Sequence, residues 1–68
     1  MQPTNQELYN SIKELNNYRD RLRSEIINIS QKLRMSQAKI QSSLEENAEL
    51  KTIEATIKTL TTQVNKNN

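Results

Sequence analysis

Leu8, Ile12, Leu15, Leu22, Ile26, Ile29, Leu33 and Ile40 recur in alternating steps of three and four residues, with gaps only at Arg19 and Ser36. That alternation returns an apolar side chain to one side of an α-helix at every turn, which is the seam of a coiled coil or a helical hairpin. In heptad terms Ile12, Ile26, Leu33 and Ile40 fall at a, and Leu8, Leu15, Leu22 and Ile29 fall at d. The stripe runs for about five heptads, more than the three or four that specify this architecture. Arg19 occupies an a position. Two readings of it stand: its stem lies along the seam while its head reaches water, or it fixes register and partner choice as a polar a residue.

A second stripe follows: Leu50, Ile53, Ile57, Leu60 and Val64. It is out of step with the first. Continued from Ile40, the next a position is Asn47, whereas the second stripe sets its own a at Leu50, a slip of three residues. In one unbroken helix such a slip is a stammer, which overwinds a coiled coil. The other reading is a break. Ser43 followed by Glu46 has capping-box spacing, and Asn47 before "AEL" is a second N-cap signal. Ser36 is a third, which would open a short bridging helix at 37–46. Against a break, the chain has no glycine to end a helix.

Charge favours the break. Arg19, Arg21, Arg23, Lys32, Arg34 and Lys39 precede an acidic stretch of Glu45, Glu46, Glu49 and Glu54. A parallel in-register pair sets the basic stretch against itself; a fold-back brings the two signs together. The expected fold is therefore all-α: an asymmetric antiparallel helical hairpin of coiled-coil type with a break near residues 41–48. The alternative is one continuous coiled-coil helix. The expected layout is a single module, 1–68, with a long helix at 4–41 capped by Thr4 and Glu7, a second at 44–64, and a frayed tail at 65–68. A turn near Ser43 sets Leu33 level with Ile53, Ile29 with Ile57, Ile26 with Leu60 and Leu22 with Val64, and brings Lys32 beside Glu54. Heptads read alike in both directions, so other registers satisfy the stripes equally well. In this one, Leu8, Ile12 and Leu15 project beyond the second arm, uncovered by their own chain.

Composition narrows function mainly by exclusion. The chain has 68 residues, 32% hydrophobic, with no Phe, Trp, Cys or His and a formal charge of +2. A domain this small buries only about 60% of the surface its unfolded chain exposes, and without disulfides or zinc it is expected to gain stability by self-association. No dipeptide suits a β-hairpin turn, so sheets are not expected. The opening "MQPTNQELYN" has no basic and apolar leader pattern, and no run of about 20 apolar residues occurs. The expectation is a soluble, cytoplasmic protein with no membrane partner.

Nothing in the sequence assembles a catalytic centre, so no enzyme activity, small-molecule substrate, cofactor or metal is expected. Ser42 and Ser43 have no neighbouring base, and Glu45 with Glu49 reads as a solvated acidic face. Tyr9 and Tyr18 flank the stripe and read as packing at the edge of the core. The functional expectation is a structural or adaptor protein that associates as a homo-oligomer or as a small subunit of a larger assembly. Its association surface is Leu8, Ile12, Leu15, Leu22, Ile26, Ile29, Leu33, Ile40, Leu50, Ile53, Ile57, Leu60 and Val64, and its partner is a second copy or another helical protein. The alternative is a nucleic-acid-binding regulator that meets phosphates with Arg19, Arg21, Arg23, Lys32 and Arg34, for which salt dependence is the signature.

Overall fold

The computed structural model describes residues 3–67. Three helices follow one another: α1 (Asn5–Lys32), α2 (Gln37–Glu46) and α3 (Ala48–Asn67). α1 packs against both α2 and α3, giving an all-α helical hairpin 47 Å long and about 16 Å across. Among the described residues there is no strand, and no helix is long and apolar enough to cross a membrane.

Each helix opens on a cap legible in the sequence. The Thr4 hydroxyl accepts from the Glu7 amide at 3.1 Å, the Ser36 hydroxyl from the Lys39 amide at 3.2 Å, and the Asn47 side chain from the Leu50 amide at 2.9 Å. Each bond satisfies one of the amide donors that a helix leaves unpaired in its first turn. Asn47 lies inside the expected 41–48 break and adopts extended backbone, with φ −67° and ψ 115°, so the continuous-helix alternative is overturned. Ser43 is not a cap; it lies within α2.

A second break falls just before Ser36, whose cap signal opens the bridging helix read at 37–46, although no glycine marks where α1 stops. α1 ends at Lys32, nine residues short of the expected 41. The Arg34 amide donates to the Gln31 carbonyl and the Met35 amide to the Ser30 carbonyl, each at 3.0 Å. Those two bonds form a Schellman motif, and its left-handed residue is Arg34, at φ 58°. Glycine is the usual occupant because it has no Cβ to clash; here an arginine takes that conformation. Met35 then packs on the cluster that contains Ile40, the hydrophobic staple that sets the entry angle of α2. At the other end α3 continues through Asn67 rather than fraying from 65; residue 68 of the expected tail lies outside the described residues.

The core follows from these two breaks. Ile40 and Leu44 of α2 and Leu50 of α3 form a buried cluster, against which Leu22, Ile26, Ile27 and Met35 pack. Leu22 thus packs on the cluster that holds Leu50, and Tyr18 reaches Glu49 across the same interface. Partners sum to about 70 in residue number, not the 86 of the expected register. The ten residues of α2 are spent on the bridge, which moves the pairing by about two heptads. Leu22 therefore packs on the cluster that holds Leu50 rather than opposite Val64, and Leu33 is left 69% exposed rather than set against Ile53. The overhang disappears as well. Counting outward from Tyr18 and Glu49, the turn at Leu8 is level with the last turns of α3, where Val64 is buried. Leu8 is only 2% exposed, so the expectation that it lacks cover is corrected.

Candidate functional site: the exposed end of the α1 stripe

The stripe on α1 does not stay in the core. Leu8 is buried and Ile12, Leu15, Leu22 and Ile26 are half-buried, but Ile29 is 59% and Leu33 69% exposed. Ser30, one residue beyond Ile29, is 4% exposed. Helical geometry accounts for the exchange. At 3.6 residues per turn a strict heptad stripe drifts about 20° per heptad around a straight helix, or about 60° from Leu8 to Ile29. A long coiled coil absorbs the drift by supercoiling. Here the cluster of Ile40 and Leu44 from α2 and Leu50 from α3 covers the side of α1 that carries Leu22, Ile26 and Ile27, and Ser30 is buried as well. The d position of the fourth heptad is left facing water.

Thus the thirteen residues expected to form one association surface divide in two. Leu8, Ile40, Leu50, Ile53 and Val64 are buried within the single chain, and Ile12, Leu15, Leu22, Ile26, Ile57 and Leu60 are half-buried. Ile29 and Leu33 remain as exposed large hydrophobics, one turn apart. Glu25 and Lys32 are exposed beside them on α1. Leu44, Ile27 and Met35 are core residues that stripe reading misses. Ile40 and Leu44 are four residues apart, the spacing of a short helix with its own phase, and that is the available signal.

The basic residues are not gathered on one face. At about 100° per residue, Arg21 and Lys32 lie on the outer side of α1, whereas Arg19 and Arg23 are half-buried toward its packed side. Arg19 pairs with Asp20 at 3.1 Å. Arg23 lines a recess of about 310 Å³ between the helices, with Gln41, Glu45, Lys51 and Glu54 around its polar rim. Glu54 shares this recess with Arg23, and among the described residues no ion pair joins it to Lys32. Arg34 sits in the turn, held there by backbone geometry.

Tyr9 and Tyr18 are about half exposed. The Tyr18 hydroxyl donates to the Glu49 carboxylate. That bond, reinforced by the negative charge of Glu49, holds the phenol above its ordinary pKa. Glu45 and Glu49 do not share a helix face, because Asn47 separates them into α2 and α3. Glu45 accepts from Gln41 at 3.2 Å instead. Among the described residues no group of three acidic, His or Cys side chains converges to hold a metal ion.

Residues 6–68 match the model of a family described as a domain of unknown function, DUF8630, and the chain belongs to that family. No curated protein and no solved structure matches the chain significantly.

Proposed function

We propose that the protein is a helical association module: a non-enzymatic structural or adaptor protein that docks through the exposed end of its α1 stripe. The observation that carries this reading is the pair Ile29 and Leu33, 59% and 69% exposed on a helix whose other stripe residues are covered. Water contact at two adjacent large aliphatics is unfavourable by about 25 cal/mol for each Å² of apolar surface. A second helix laid along α1 removes that cost. The other exposed large side chains with apolar bodies are Tyr9 and Tyr18, each of which carries a polar hydroxyl, and the Thr52, Thr56, Thr59, Thr61 and Thr62 hydroxyls of α3 each bond back to the helix's own carbonyls.

Binding to nucleic acid has weaker support. A phosphate-tracking face needs several cations pointing one way, whereas Arg21 and Lys32 lie on the outer side of α1, Arg19 and Arg23 toward its packed side and Arg34 in the turn, with Arg19 paired to Asp20. Native capture with the wild-type chain and with Ile29→Gln/Leu33→Gln as baits, followed by mass measurement of the intact complexes, tests the association reading. Loss of the complex in the double variant is expected. Identical complexes from both baits contradict the reading.

A further inference from the structure

We infer that the occupant of this stripe is a second copy of the same chain, paired antiparallel along α1 about a two-fold axis. The inference rests on the association reading above and adds the partner and its orientation. A two-fold interface must complement itself: what residue i offers, residue j must accept, and the reverse. Residues 22–33 meet that condition in one register. In antiparallel helix pairs an a residue faces a d residue of the partner, and g faces g. Setting Ile26 beside the second copy's Ile29 sets Leu22 beside its Leu33, and the symmetry repeats both layers. All four layers are aliphatic. The same register brings the g residues Glu25 and Lys32 together across the interface, twice, with opposite signs.

A parallel pair lacks this match. There g faces e, which sets Glu25 toward Ser30 and Lys32 toward Gln37. Ser30 is 4% exposed inside its own chain and offers nothing to a neighbour. The interface is small. Ile29 and Leu33 supply most of the open apolar surface, and Leu22 and Ile26 only the edges their own core leaves uncovered. Interfaces below about 1,200 Å² belong to weak, reversible complexes, so dissociation in the range of tens of micromolar is expected.

Sedimentation equilibrium on the full chain tests the proposal. The wild type is expected to move from one 7.9 kDa chain to two as concentration rises through that range. Glu25→Lys and Lys32→Glu each convert both attractive pairs to repulsive ones. Each is expected to weaken the dimer about tenfold, as the loss of two exposed ion pairs would. In an equimolar mixture of the two variants, one chain carries lysine at both positions 25 and 32 and the other carries glutamate at both. Every cross-interface pair in a mixed dimer is then attractive, and wild-type affinity is expected to return. Single variants that dimerise like the wild type, or a mixture no tighter than its components, overturn the antiparallel register. A wild type that stays one chain to several hundred micromolar overturns the second copy as occupant. The association reading then still stands if capture depends on Ile29 and Leu33, and falls with it if capture does not.

Discussion

The Tyr18 hydroxyl donates to the Glu49 carboxylate, joining the middle of α1 to the first turn of α3 across 31 residues of sequence. The bond holds the proton on Tyr18, and its pKa is raised from the ordinary 10.0 by the Glu49 hydrogen bond first and the Glu49 charge second. Because the folded state keeps this proton more tightly than the unfolded chain, the contribution is fully present below the unfolded pKa. It is lost as pH rises through the raised folded value. In a Tyr9→Phe background, absorbance titration of the remaining phenol should give a midpoint that falls when Glu49→Gln is added. An unchanged midpoint would show that the two residues are not bonded in solution.

Arg34 offers a test of the break at the end of α1. A non-glycine residue in the left-handed region is disfavoured by roughly 1–2 kcal/mol, and glycine relieves that at a smaller entropic cost in the unfolded chain. Arg34→Gly is expected to raise stability by about 1 kcal/mol in urea unfolding. Arg34→Val, whose branched Cβ suits the left-handed region worse still, should lower it. A destabilising glycine would place the end of α1 elsewhere.

Core and surface portions of the stripe should respond differently. Leu50 is 2% exposed, and truncating a buried leucine to alanine costs about 2–5 kcal/mol. That is comparable to the whole stability of a chain this size, so Leu50→Ala should be largely unfolded by circular dichroism. Ile29→Gln and Leu33→Gln should keep wild-type helicity, with stability changed by about 0.5 kcal/mol or less, as at other surface positions. If Ile29→Gln unfolds the chain, the seam is buried as a uniform heptad reading would have it.

The contrast between Leu50 and Ile29 shows what the sequence can specify. Caps are legible because Thr4, Ser36 and Asn47 act on amides three residues away, and a local rule needs only local residues. The helical class and the break at Asn47 follow from periodicity and its slip. The inter-helix register is not legible, since heptads satisfy many antiparallel alignments and the choice depends on where α1 stops. That stop rests on Arg34 in a conformation usually marked by glycine. Once α1 ends early and α2 becomes the bridge, Leu8 gains cover and Ile29 loses it. The candidate site is thus a consequence of tertiary geometry, though both its residues are visible in the stripe.

The fold-back of α3 along α1 is the central claim, because it brings α3 level with Leu8 and covers it. Spin labels at Ser11 and Thr61, both exposed, measure it directly in a sample diluted with unlabelled chains. The two positions sum to 72, in the register of Leu22 with Leu50, so they lie level on adjacent helices. Helices pack about 8–10 Å apart, and with label linkers a distance below about 25 Å is predicted. A distance near 75 Å, which is 50 residues at about 1.5 Å each, would mean one continuous helix and would contradict the account.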